Sequence, residues 1–85
     1  MTEREREVLA EIQRILSTTL EVTDTVTVED RLADCDALDS LGLITLAVGL
    51  EDRFRIKLSE TDAPDLETFA DVVRLVNRRR EEAGR

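Results

Sequence analysis

The sequence predicts an all-α fold: a four-helix bundle with one short third helix and a long ordered loop between helices 1 and 2. Aliphatic residues recur at helical spacing in separate stretches of the chain. Two segments, Ser59-Glu60-Thr61-Asp62 and Thr68-Phe69-Ala70-Asp71, read like capping boxes, the side-chain signature of a helix start. Aromatic residues are limited to Phe54 and Phe69, with no Trp or Tyr, so the core is built from Leu, Ile, Val and Ala. Such side chains suit helices packed by aliphatic ridges.

Val8, Leu9, Ile12, Ile15 and Leu16 fall on one helical face, and Glu7, Glu11 and Arg14 occupy the others. A first helix is expected over residues 3–17, ending softly at Ser17-Thr18-Thr19. Residues 18–38 show no clean period. A connection of about twenty residues is long against the usual 4–6, and loops of that length tend to be functional or disordered. Val26, Val28 and Leu32 favour an ordered one. A second helix starts near Asp39 and runs to Arg53 or Phe54, with Leu43, Leu46, Ala47, Leu50 and Phe54 along one stripe. Ile56 and Leu58 continue as a short extended stretch. The capped turn at Ser59 follows, stopped by Pro64. The last helix opens at Thr68 and presents Phe69, Val72, Val73 and Val76 on one face as far as Arg79. Arg78-Arg79-Arg80 suits a helix C-terminus, where cations are stabilising. Residues 1–85 read as one domain with a frayed tail over about residues 80–85.

With 85 residues the core is thin, and there is no room for a deep substrate pocket beside it. Hydrophobic content of 41 % supports a globular chain rather than a disordered one. The net charge of −8, from 20 acids against 12 bases, repels phosphate backbones and argues against nucleic acid binding. An acidic surface serves solubility, or it speeds encounter with basic protein patches. Cys35 is the only cysteine and there is no histidine, so no internal disulfide and no cysteine-based metal site is expected. Cys35 reads as a small, half-buried filler. The N-terminal stretch is charged throughout and lacks an apolar signal core, and no segment is long enough to span a membrane. Cytoplasmic residence and a monomeric state are the corresponding expectations.

The second helix carries a second apolar stripe, Leu41, Ile44 and Val48, and no charged residue occurs between Leu41 and Leu50. A helix apolar all round asks for burial all round, which so small a bundle rarely provides. One stripe therefore faces the core, and the other meets a partner or ligand, unless the long loop covers it. Asp39 is a good N-cap, worth about 1 kcal/mol. Ser40 then occupies the first helical position with its hydroxyl pointing out. A phosphate esterified there meets the positive end of the macrodipole, a favourable contribution of roughly 0.3–1 kcal/mol. Taken alone, an Asp-Ser pair at a helix start signals only capping. No catalytic constellation surrounds Ser40, because a nucleophilic serine needs an adjacent base. Lys57, the only lysine, is at the far end of the helix.

Leu38-Asp39-Ser40-Leu41, followed by Gly42-Leu43-Ile44, resembles the Asp-Ser-Leu attachment motif of acyl and peptidyl carrier proteins. The resemblance continues through Leu46, Leu50-Glu51-Asp52-Arg53-Phe54, Ile56-Lys57-Leu58 and Thr68-Phe69-Ala70-Asp71-Val72-Val73, with Asp30-Arg31-Leu32 similar to the family's loop anchor. It implies that Ser40 receives 4′-phosphopantetheine from coenzyme A through a magnesium-dependent phosphopantetheinyl transferase. The arm's thiol, rather than Cys35, would hold an acyl or aminoacyl cargo as a thioester, and the chain itself would not be an enzyme. It further implies that Leu41, Ile44 and Val48 contact acyl-loading and acyl-processing enzymes, whose basic patches meet Glu51 and Asp52. The sequence departs from fatty-acid carriers at Gly42 and Thr45, where acids are common, and at Ala37, where Gly is common. Gly after the motif Leu is similar to carriers of specialised polyketide, peptide or D-alanyl pathways. Gly42 and Gly49 each cost about 1 kcal/mol against Ala inside a helix. Gly49 suits close helix packing, whereas nothing in the sequence accounts for Gly42. Two other readings remain: an acidic helical interaction module in which Ser40 only caps, and a small hydrolase.

Overall fold

The computed structural model of this chain describes residues 1–59 and 65–84. Helix α1 spans Glu3–Thr18, α2 spans Ser40–Phe54 and α3 spans Phe69–Ala83, with a 3-10 turn at Leu32–Asp34. Among the described residues there is no strand beyond an isolated antiparallel bridge between Arg31 and Thr68. The expected short third helix falls on residues 60–64, outside the described residues, so the described helices number three rather than four. Among the described residues no helix is long and apolar enough to cross a membrane.

Each long helix begins at a residue whose side chain caps its first turn. Thr2 and Glu5 form a reciprocal box: Glu5 N donates to Thr2 Oγ1 at 3.2 Å and Thr2 N donates to Glu5 Oε1 at 2.9 Å. Thr68 and Asp71 repeat the device on α3, where Asp71 Oδ2 accepts from both Glu67 N (2.9 Å) and Thr68 N (3.1 Å). These backbone bonds hold the carboxyls of Glu5 and Asp71 below the usual carboxylate range, with Arg74 adding to the effect at Asp71. Helix α1 ends when Glu21 takes a left-handed conformation (φ 59°) and Val22 N reaches back to Leu16 O at 2.7 Å.

Helix α1 is the spine. It packs against both other helices, whose own backbones rarely approach one another. Val8, Ile12, Ile15 and Leu16 from α1 meet Leu46 and Leu50 from α2 and Phe69, Val73 and Val76 from α3 in one buried cluster. Glu11 departs from the sequence expectation. Instead of facing outward it is only 8 % exposed. A carboxylate is costly to bury unless it is paired. Arg14 Nε bonds both oxygens of Glu11 at 3.0 and 3.1 Å, and Arg53 Nε of α2 lies 3.7 Å away. That bond and the adjoining negative charge raise the Arg14 guanidinium further above its ordinary value.

The long first connection is ordered because both of its ends are tied. Gln13 of α1 clamps it with one amide: Nε2 donates to Asp24 O at 3.0 Å and Oε1 accepts from Val26 N at 2.8 Å. Further on, Leu32 N donates to Glu67 O, Phe69 N to Asp30 O, and Ala70 N to Val28 O, joining the loop to the start of α3. Leu32 is the buried anchor between these bonds, and Cys35 is half-buried beside the core. Helix α3 continues to Ala83, past the Arg79 stop and into the residues expected to fray. Ion pairs from Arg80 to Glu7 (3.5 Å) and from Glu81 to Arg4 (3.8 Å) fasten this last turn to α1, and the Arg80 guanidinium lies 4.7 Å from the Phe54 ring centroid.

The two glycines of α2 mark close approaches of different kinds. A Cβ on Gly42 would lie 1.8 Å from the carbonyl oxygen of Ala37, a rigid backbone atom, whereas one on Gly49 would lie 2.6 Å from Ile15 Cδ1, the movable end of a side chain. Gly42→Ala is therefore expected to destabilise the fold by about 1–3 kcal/mol despite the ~1 kcal/mol gain in helix propensity. Gly49→Ala is expected to stay within about 1 kcal/mol of the wild type, because Ile15 yields. Urea denaturation followed by circular dichroism checks both, and a stabilised Gly42→Ala contradicts the assigned contact.

Acid provides a second check. Because the native carboxyls of Glu5 and Asp71 titrate below their ordinary values, the unfolded chain binds more protons as pH falls. Their contribution is present above an unfolded pKa of about 4 and is lost as pH drops through the lower native values. Thermal midpoints measured from pH 5 down to pH 2 should fall less steeply for Asp71→Asn than for the wild type; identical slopes contradict the capping role.

Candidate functional site

The site is made by the way the chain enters α2. Leu38 N bonds Cys35 O at 2.9 Å, folding residues 35–39 into a tight approach over the first turn of the helix. Asp39 is extended (φ −71°, ψ −173°) and its Oδ1 accepts from Gly42 N at 2.8 Å, while its carbonyl accepts from Leu43 N at 2.8 Å. The absence of a side chain at residue 42 is what allows the Ala37 carbonyl to lie against this turn. Gly42 is thus explained by the path of the preceding loop, which sequence patterning does not reveal.

Ser40 follows as the first residue of α2. It is exposed, and among the described residues its hydroxyl has no hydrogen-bond partner. It stands at the positive end of the helix dipole with no acid in the first turn of the helix. Among the described residues no base bonds to the hydroxyl, the contact that a serine nucleophile needs. Among the described residues no cluster of acidic, Cys or His side chains is fit to hold a metal ion. The local electrostatics accommodate a phosphodiester at this oxygen, because the dipole favours negative charge and Asp39 turns its carboxylate into its own cap.

Leu41, Ile44 and Val48 are 73, 56 and 55 % exposed, whereas Leu46 and Leu50 on the opposite face are buried. The two apolar stripes of α2 therefore separate cleanly, one into the core and one into solvent. A groove of about 380 Å³ runs from Ser40 past Ile44, Val48 and Glu51 to Leu58 and Ser59. Beneath it, and sharing Leu43, Ala47, Leu58 and Ser59 with it, a small apolar cavity of about 60 Å³ opens between α2 and α3, bounded by Leu66, Val72 and Leu75.

Glu51 and Asp52 differ from one another. Glu51 is half-buried, and its Oε2 accepts from Leu58 N at 2.7 Å, bracing the chain after α2. Asp52 is exposed, with no side-chain partner among the described residues. The sequence places the two acids side by side, and only the fold shows that one of them serves as a brace.

A family profile described as a phosphopantetheine attachment site matches residues 10–76. Over 80 residues the chain is 30 % identical to an acyl carrier protein of Rhodococcus erythropolis, covering 92 % of this chain and 87 % of that one. It is 31 % identical over 84 residues to the meromycolate extension acyl carrier protein of Mycolicibacterium aurum, covering 96 % and 86 %. The crystal structure of an acyl carrier protein from Thermotoga maritima superposes with a TM-score of 0.84 over 95 % of each chain, at 21 % identity, and shares the fold. A holo acyl carrier protein from Geobacter metallireducens gives a TM-score of 0.76 at 26 % identity, over 89 % of this chain and 88 % of that one. Taken with the free serine at the head of α2, these likenesses place the chain in the acyl carrier protein family, whose members bear a phosphopantetheine arm.

Proposed function

We propose that this chain is a single carrier domain whose Ser40 holds the phosphopantetheine arm. The observation that carries this reading is the Ser40 hydroxyl, exposed and unbonded among the described residues at the positive end of α2. The arm, once attached, supplies a terminal thiol on which an acyl or aminoacyl group travels as a thioester. Ser40 contributes the oxygen that bonds the pantetheine-bearing phosphorus of coenzyme A, while the pyrophosphate P–O bond breaks and adenosine 3′,5′-bisphosphate leaves. Asp39 fixes that oxygen by capping the helix. A phosphopantetheinyl transferase must bring the base, since none is bonded to this hydroxyl among the described residues.

The exposed strip of Leu41, Ile44 and Val48 is proposed as the surface on which the transferase and the acyl-loading and acyl-processing enzymes dock, with Asp52 available to a basic group. Glu51 contributes mainly by holding the strip's far end in place. The chain would work as a monomer in the cytoplasm. A specialised pathway is favoured over housekeeping fatty-acid synthesis, because the first turn of α2 carries no acid and Gly42 is required there by packing. The cavity between α2 and α3 is smaller than the roughly 150 Å³ that holds a benzene ring. A long acyl chain would therefore have to part these helices to enter, and their sparse contact makes that seam the one most able to open.

Mass spectrometry after incubation with coenzyme A and a broad-specificity phosphopantetheinyl transferase tests the attachment. The wild type should gain one phosphopantetheine on Ser40, and Ser40→Ala should gain none. An unchanged wild-type mass would favour an acidic interaction module in which Ser40 only caps. Ile44→Asp or Val48→Asp should lower the transferase kcat/KM on the order of tenfold or more, while stability changes by about 1 kcal/mol or less. Loss of the helical circular dichroism signal in either variant would move these side chains into the core and remove the docking strip.

A further inference from the structure

The docking strip does not end at Val48. A second groove, lined by Val48, Glu51, Asp52, Arg55, Ile56 and Lys57, shares Val48 and Glu51 with the groove that starts at Ser40. Together they make one continuous trough along α2. At its far end Arg55 adopts a left-handed conformation (φ 55°, ψ 51°) that closes the helix, with Ile56 N returning to Glu51 O at 3.1 Å. This turn buries Ile56 and leaves its neighbours Arg55 and Lys57 exposed on either side of it.

The charges along the trough are not equivalent. Arg53 lies 3.7 Å from Glu11 and 5.1 Å from the Phe54 ring centroid, so part of its charge is already met within the chain. Glu51 is tied to Leu58 N. Among the described residues Arg55 and Lys57 have no ion-pair partner, and they outnumber Asp52, the one acid there that is equally uncommitted. At the other end the exposed Asp36 precedes the helix, followed by Asp39, whose carboxylate is committed to the cap. Fifteen helical steps of 1.5 Å put the ends about 22 Å apart, more than two Debye lengths at physiological salt. A docked protein therefore senses each end separately, and the net charge of −8 steers only the distant approach.

We infer that the partner is an acyl-transferring enzyme whose docking cleft is dipolar: an apolar trough that takes Leu41, Ile44 and Val48, with basic groups toward Asp36 and Asp52 and carboxylates at its far end that meet Arg55 and Lys57. The inference rests on the carrier reading given above and goes beyond it by assigning the sign of the partner surface at each end. A cleft basic along its whole length would place cations against Arg55 and Lys57, a repulsion that works against that orientation. The dipolar arrangement also fixes the direction in which α2 lies in the cleft, and with it the side from which the arm on Ser40 enters the active site.

The test uses the full-length holo protein and an enzyme selected because it acylates the arm. Because Lys57 is the only lysine, a spacer-free carbodiimide amide that joins an amine of this chain to a carboxylate of the enzyme reports on this one position, apart from the N-terminal amine. The expected result is an amide between Lys57 and an Asp or Glu of the enzyme, with Lys57→Arg as the chemical control that cannot form it. The Arg55→Glu/Lys57→Glu variant should be acylated with kcat/KM lower on the order of tenfold at low salt, the gap closing near 1 M salt. A wild type that is acylated but yields no Lys57 cross-link, or a double variant acylated as well as or better than the wild type, overturns the inference while leaving the carrier reading intact. A chain that accepts no phosphopantetheine defeats the carrier reading, and the inference with it.

Discussion

The contact between the Ala37 carbonyl and the bare backbone of Gly42 sets the geometry on which the rest of the site depends. With the loop pressed against the first turn of α2, the Asp39 carboxylate is positioned to take the Gly42 amide, and Ser40 has no direction left but outward. The same contact fixes the rotation of the helix about its axis. Leu46 and Leu50 then face α1, and Leu41, Ile44 and Val48 face solvent. A glycine with a helix-propensity penalty of about 1 kcal/mol stands at a position where a side chain would meet the Ala37 carbonyl.

The core and the exposed apolar strip occupy different parts of this small chain. Helix α1 gathers the core, the Glu11–Arg14–Arg53 charge cluster and the Gln13 clamp on the long loop. Helix α3 is fastened to it by packing in the middle and ion pairs at the end. Helix α2 is fixed to α1 along one side only, while its other side and its seam with α3 carry the groove and the small apolar cavity. This division leaves one face of α2 open to solvent while its opposite face remains part of the core.

Local signals made much of the site legible from the sequence alone. Capping side chains and a 3.6-residue period act within a few residues, so the start of α2 at Asp39, the exposed position of Ser40 and the two separate stripes all follow from neighbouring letters. What was not legible depends on residues distant in sequence. Glu11 reads as a surface acid until Arg53 of α2 is placed beside it. Gln13 looks unremarkable on α1, yet it is bonded to Asp24 and Val26 in the loop. Glu51 matches a partner-facing acid in the motif but bends to the Leu58 amide. The end of α3 was expected too early, because the tail has little apolar content and its support comes from Arg4 and Glu7 at the opposite end of the chain.

Paramagnetic relaxation by a soluble gadolinium chelate, read residue by residue in the NMR spectrum of the unmodified protein, bears most directly on this geometry. Strong enhancement is expected at the β-protons of Ser40 and at the methyls of Leu41, Ile44 and Val48, alongside weak enhancement at Leu46 and Leu50. Shielding of Ser40 and its aliphatic neighbours to the level of the core leucines would contradict the account.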